Sequence, residues 1–264
     1  MEIIINDLSY KNLSNLTFTI HEGVITGITG EGKSTVLRLI NGILEGRGKV
    51  IYNGERPTKK TKLKVIKEIG YIGSNFTNPY MATTVEEHIM FFIQYHKLSI
   101  KDPNKKIKDS LKIVGLNDKY LTRNISSLSS SEKKLLELST VLLINPKILL
   151  LDEPFINMDN KNEKKLARLL DQLNDRFNIN VVIASNDSNI LYKYTKKVIL
   201  LKDNKVFMEG DTKEVYSDVL LLKKNNFDIP EIVEFVYLAK KKKNVKIDYH
   251  RDIRDLIKDI YKHV

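Results

Sequence analysis

The chain has 264 residues, no cysteine, 42% hydrophobic residues and a net charge of +11. That length and apolar content suit one large domain with a small appendage. The missing cysteines exclude a disulfide framework and a thiolate metal site. No apolar run is long enough to span a bilayer, which predicts a soluble or peripheral protein. The basic excess points either to an acidic neighbour (anionic lipid, nucleic acid or an acidic protein) or to a general compositional bias toward Lys, Asn and Ile. Residues 1–20 show neither the charged start nor the cleavage site of a signal peptide.

In chain order, Ile3-Ile4-Ile5 and Leu16-Thr17-Phe18-Thr19-Ile20 read as strands, with Glu22-Gly23 as a turn. Val24-Ile25-Thr26 reads as a strand entering Gly27-Ile28-Thr29-Gly30-Glu31-Gly32-Lys33-Ser34-Thr35, and Thr35–Ile40 as the helix that leaves it. This stretch fits the phosphate-binding pattern G-x-x-x-x-G-K-[ST]. Gly27, Gly30 and Gly32 let the backbone turn so that successive N–H groups around Glu31 and Thr35 converge on an anion at a helix start. Lys33 then reaches the β- and γ-phosphates, and the Ser34 hydroxyl ligates Mg²⁺.

Gly46-Arg47-Gly48 breaks the chain, and Lys49–Gly54 reads as a strand running into a turn. Residues 86–96, 104–114 and Glu132–Ile144 carry helical spacing of apolar positions. Lys147–Asp152 is apolar on both faces, as a buried parallel strand is, and ends in Asp152-Glu153-Pro154. Acids at a carboxyl-terminal strand end sit where α/β sheets bind ligands. Asp152 there holds hydrated Mg²⁺ and Glu153 polarises an attacking water.

Residues 161–176 read as an amphipathic helix, 180–185 as a core strand, and Asp203-Asn204 as the turn of a hairpin. Pro230 marks a helix start, and Ile253, Leu256, Ile257 and Ile260 recur at helical spacing. Lys240-Lys241-Lys242-Lys243 is either a solvated linker or a binding patch.

At this point the chain resembles the ATP-binding-cassette (ABC) ATPases over nearly its whole length, in the family's motif order. After the phosphate loop comes a glutamine-loop region, Ile72-Gly73-Ser74-Asn75-Phe76, leading into Thr84-Val85-Glu86-Glu87. The signature region is Leu128-Ser129-Ser130-Ser131-Glu132, followed by the acidic strand end. Asp159 matches the D-loop aspartate, and Val181–Asp187 the switch region. The resemblance implies an α/β P-loop NTPase fold with a mixed central sheet, an N-terminal antiparallel β-subdomain, a helical subdomain and a small helical C-terminal extension. Residues 1–211 form the cassette, with a helical subdomain at about 84–145 that docks on a membrane partner. Residues 212–264 form the extension, implied to pair two ATPase chains.

The departures from the family pattern carry further information. In the family the signature closes over the partner chain's γ-phosphate through the serine hydroxyl and glycine N–H groups. Here Ser129 is kept, Ser130 and Ser131 replace two glycines and add bulk, and Glu132 brings negative charge in place of a glutamine. Ser129-x-x-Glu132 is also a capping box. The switch histidine is Asn186, whose amide donates to the γ-phosphate but carries no proton. The metal-reaching glutamine is Ser74, acting through a water, or Asn75 if the alignment shifts by one. Tyr10 either stacks on adenine or packs on its strand.

The tail Glu209–Ser217 and Leu220–Ile232 resembles the energy-coupling-factor group of cobalt and vitamin importers. Ile232, Val233, Phe235, Val236, Leu238 and Ala239 line either a dimer interface or the parent domain. The implied function is an ATPase subunit using ATP and Mg²⁺ to energise uptake of a vitamin or metal ion. It sits peripherally on the cytoplasmic face of the membrane, with a transmembrane coupling subunit and a substrate-binding membrane subunit. Because Lys33, Ser34, Asp152 and Glu153 are intact while signature and switch are degenerate, a heterodimer with a second ABC ATPase is expected rather than a homodimer. The alternatives are a poorly hydrolysing, nucleotide-gated regulatory partner and a soluble ABC ATPase on nucleic acid. The last is disfavoured because no basic stripe with interleaved aromatics stands out.

Overall fold

The alternating apolar residues at the N-terminus become β1 (Ile3–Tyr10) and β2 (Leu13–Ile20) in the computed structural model, which describes residues 1–79, 81–243 and 247–263. Ile3, Ile5, Leu8, Leu16, Phe18 and Ile20 turn inward and are buried. β3 (Thr26–Gly30) leads through the phosphate loop into α1 (Lys33–Asn41), and β4 (Arg47–Tyr52) follows. β3 begins where the sequence reading had its strand ending, so Gly27 and Gly30 are strand residues.

The short α2 (Lys62–Ile66) precedes β5 (Ile69–Ile72). Three helices then open on side-chain caps: α3 (Val85–Tyr95) on a Thr84/Glu87 capping box, α4 (Pro103–Ile113) on Asp102, and α5 (Ser130–Val141) on a Ser129/Glu132 capping box. β6 (Ile148–Asp152) is buried along its whole length, as a run without alternation requires. α6 (Asn160–Phe177) opens on Asp159 and closes on Asn178 at φ 53°.

β7 (Asn180–Ala184) and α7 (Ser188–Tyr194) precede β8 (Lys197–Lys202) and β9 (Lys205–Asp211). The β8–β9 turn, Asp203-Asn204, has both φ angles positive, 49° and 62°, the backbone of a two-residue hairpin matched to strand twist. The chain ends in α8 (Thr212–Ser217), α9 (Val219–Lys224), α10 (Glu231–Lys243) and α11 (Ile253–His263).

Two compact units result. One comprises Met1 with Pro57–Val181, the other Glu2–Arg56 with Val182–Val264. In the first, β5 and β6 pair in parallel from Ile69↔Ile148 to Ile72↔Leu151. Each fully buried aliphatic of β6 contributes about 1.5–3 kcal/mol relative to exposure.

In the second unit, β1 lies between β2 and β4 in a three-stranded antiparallel sheet. β3 pairs in parallel with both β7 and β8, and β9 adds antiparallel to β8, so this sheet is mixed. The C-terminal helices close a small core of Val236, Ile247 and Leu256, with Ile232, Ala239, Tyr249 and Ile260 against it. Of the six tail residues expected at an interface, Val233 and Val236 are buried, whereas Phe235 and Leu238 remain 52% and 39% exposed. No helix among the described residues is long and apolar enough to cross a membrane.

Candidate nucleotide site

β3 and β7 run side by side, with Ile28 opposite Ala184, so the phosphate loop and the switch segment leave the sheet at one edge. The first segment turns at Gly30, φ 99°, where a Cβ would stand 1.9 Å from the Leu201 carbonyl oxygen. Only glycine fits that approach. Gly32, φ 84°, is the residue before α1 and contributes no capping side chain, and the first turn of α1 holds no acid. The N-terminal N–H groups of α1 are therefore not neutralised by an acidic side chain of their own helix, which suits an anion.

Lys33 Nζ donates to the Asn186 side-chain oxygen at 2.8 Å. The loop amine and the switch residue thus meet directly. Asn186 is exposed, while its neighbour Ser185 is buried and fixes the turn by accepting from the Asp187 N–H at 3.1 Å. Asp187 caps α7 through Asn189 N–H at 2.8 Å. A cavity of about 400 Å³ is lined by Thr29, Gly30, Glu31 and Asn186, together with Lys202 and Asp228. Ser34 and Thr35, in the first turn of α1, are half-buried. Tyr10 ends β1 opposite Leu13, whose methyl group would lie 2.7 Å from a Cβ at Gly32. That hairpin end therefore borders the phosphate loop, and the Tyr10 ring is half-buried, 5.5 Å from Lys11 Nζ.

The other candidate residues belong to the first unit. Asp152 is 1% exposed at the end of β6, and Glu153 follows at φ 49°. A non-glycine residue in the left-handed region costs about 1 kcal/mol and turns the chain sharply out of the strand. Asp159 accepts from the N–H groups of Lys161 and Asn162 at 2.8 and 3.0 Å. These backbone bonds, that of Asn162 foremost, hold its carboxyl below the usual range.

The signature segment is more constrained than its sequence implied. Ser129 Oγ accepts from Glu132 N–H at 3.2 Å, and Glu132 Oε2 accepts from Ser129 N–H at 2.8 Å. The other Glu132 oxygen accepts from Tyr120 OH at 2.6 Å and lies 3.6 Å from Arg123. Burial would raise this carboxyl, but those hydrogen bonds and the Arg123 charge outweigh it and hold it below its ordinary value. The charge of Glu132 is thus spent within its own unit. Ser129 and Ser130 are exposed, whereas Ser131 is 7% exposed. Of the two serines that replace glycine, only Ser130 adds bulk at the surface.

Ser74 lies half-buried in the loop after β5. That loop is held from α5: Lys134 Nζ donates to the Gly73 carbonyl, and Glu137 Oε1 accepts from Thr77 N–H at 3.3 Å. Motif reading missed Tyr120, Arg123, Lys134 and Glu137. The available signal was the Lys134/Glu137 pair, opposite charges three apart on one helix. The structure therefore gathers Gly27, Gly30, Glu31, Gly32, Lys33, Ser34, Thr35, Asn186 and Tyr10 in one unit, and Ser74, Ser129–Ser131, Asp152 and Glu153 in the other.

A family model described as ABC transporter matches residues 13–156. The chain is similar to the energy-coupling factor transporter ATP-binding protein EcfA of Methanocaldococcus jannaschii, 29% identical over 258 residues, covering 96% of this chain and 92% of that protein. EcfA of Methanococcus maripaludis is 31% identical over 259 residues, covering 95% and 92%. Among solved structures, cbiO1 from Clostridium perfringens, described as part of the ABC transporter complex cbiONQ, is 26% identical with a TM-score of 0.74, covering 89% of this chain and 98% of that one. A match running from the first hairpin past Glu153, and a relative 31% identical along almost the whole length, agree with the site: the chain belongs to the ABC transporter family, among the energy-coupling factor ATP-binding proteins, and is an ATPase.

Proposed function

We propose that this chain is the degenerate half of a heterodimeric ATPase that energises uptake of a vitamin or metal ion through an energy-coupling-factor importer. The observation that carries the proposal is the Lys33–Asn186 bond. A phosphate-binding lysine is in place, but its switch partner is an amide that exchanges no proton near neutral pH. In the composite sites implied for the family, this chain supplies Lys33, Ser34, Asp152 and Glu153 against an intact signature of a second ATPase. Ser129–Ser131 then face the second chain's nucleotide. Tyr10 contacts the adenine, and Glu153 orients the attacking water.

The hydroxyl of Ser34 and the carboxylate of Asp152, with Ser74 through a water, are hard oxygen donors of the kind Mg²⁺ takes. When bound, Mg²⁺ supplies charge neutralisation of the β- and γ-phosphates. Residues 1–211 act as the cassette, and 212–264 as a pairing extension, for which Phe235, Leu238, Ile253 and Ile257 are exposed apolar side chains. The helical segment 84–145 seats a transmembrane coupling subunit on the cytoplasmic side, and its exposed Phe91 and Tyr95 support that reading. A substrate-binding membrane subunit holds the substrate specificity.

Binding of a fluorescent ATP analogue with Mg²⁺ tests the site. Saturable binding that is lost in Lys33→Ala supports it, and unchanged binding in that variant refutes it. A second reading, a non-hydrolysing regulatory subunit, is favoured by Ser130 and Asn186. Turnover of the assembled complex that is indifferent to Glu153→Gln would select it.

A further inference from the structure

Loop 73–77 is tied to α5 by two titratable side chains on one helical turn. Lys134 donates to the Gly73 carbonyl at the start of the loop, and Glu137 accepts from Thr77 N–H at its end. Lys134 Nζ and Glu137 Oε2 lie 3.5 Å apart, with side chains only 8% and 13% exposed. Between those anchors, the Phe76 ring lies 5.9 Å from Lys133 Nζ and 5.9 Å from the His88 ring of α3. Beyond them, Asn78 bonds both backbone groups of Ala82 and approaches His88 Nδ1 at 3.3 Å. The loop borders a cavity of about 140 Å³ lined by Ile72, Thr77, His88, Phe92 and Glu137. The N-terminus of α5 is capped by Ser129.

A buried lysine–carboxyl pair is a poor way to gain stability, because desolvation offsets the attraction, and apolar side chains of similar volume do as well or better. Apolar residues at 134 and 137 would fill the space but leave the Gly73 carbonyl and the Thr77 N–H without these partners. What the pair supplies is geometry. We propose that Lys134 and Glu137 are positioning residues that clasp both ends of loop 73–77 to α5, so that the wall of the cavity and the Ser129 helix start shift as one body. Where the Proposed function holds, the clasp carries displacement of loop 73–77 to the signature; that consequence rests on the reading above, whereas the clasp itself does not.

The test uses the purified chain without nucleotide or partner, so its failure is separate from failure of the ATPase reading. Amide hydrogen exchange is followed at Thr77 and at Lys134 as a function of urea. Three proteins are compared: the natural chain, Glu137→Gln, and the double exchange Lys134→Glu/Glu137→Lys. Glu137→Gln keeps an acceptor for Thr77, whereas the double exchange keeps an ion pair but loses both backbone bonds. The clasp predicts a common opening constant and urea dependence for Thr77 and Lys134 in the natural chain and in Glu137→Gln. It predicts Thr77 exchange faster by on the order of tenfold in the double exchange, with exchange at the backbone amide of position 134 unchanged. Thr77 opening independently of Lys134 in the natural chain, or equally slow exchange in the double exchange, overturns it. If the double exchange does not fold, the comparison within the natural chain still decides.

Discussion

At the scale of single residues, the contact between Lys33 and Asn186 organises the reading. Replacing the amide with an imidazole restores a group that can carry a proton. Asn186→His is expected to raise turnover of the assembled ATPase on the order of tenfold, with a new pH dependence near the histidine range. Steady-state rates across pH check this. Gly30 is the least replaceable position of the loop. At φ 99° and against the Leu201 carbonyl, Gly30→Ala is expected to cost about 2 kcal/mol or more and to abolish nucleotide binding. Urea unfolding and analogue binding measure both effects.

Glu137 gives a pH signature. Burial raises its carboxyl to about 7, and the nearby Lys134 only partly offsets this. The folded state therefore holds a proton that the unfolded state has released above about 4.5, and stability falls as pH rises through that window. The full effect is about 3 kcal/mol by linkage. His88 runs the other way, since burial lowers it to about 4 and stability is lost as pH falls below 6.5. The informative quantity is thus the difference between the natural chain and Glu137→Gln. The variant is expected to gain relative stability from pH 5 to pH 8; parallel curves would contradict the assignment.

At the scale of elements, long periodic segments and strong caps were legible, and short helices were not. α3, α4, α5 and α6 fall where apolar spacing put them, and the buried run at β6 read as a strand because it lacks alternation. α2, α7, α8 and α9 have only five to seven residues, too few for a helical period to register. Three of them open on an aspartate cap, Asp187, Asp211 and Asp218, a signal available in the sequence. The site divides in the same way. Lys33, Ser34 and Asp152 announce themselves by spacing, whereas Lys134 and Glu137 act on backbone groups of a loop distant in sequence, which no local pattern encodes. The capping box at α5 predicts that Ser129→Ala lowers stability by about 1 kcal/mol, measured by urea unfolding.

At the scale of the whole molecule, no described helix is long and apolar enough to cross a membrane, and the candidate residues fall in two units of the chain. The central claim is retained nucleotide binding with turnover that depends on a partner. The most direct measurement is Mg-ATP turnover by the chain alone and after co-assembly with a second ABC ATPase carrying an intact signature, with Glu153→Gln as the control. The account predicts saturable binding with little turnover alone, and turnover higher by on the order of tenfold or more in the assembly. It also predicts a loss on the order of a hundredfold at this chain's site in Glu153→Gln. Comparable turnover by the chain alone would contradict it, because Asn186 and the serine-rich signature would then be sufficient without a partner.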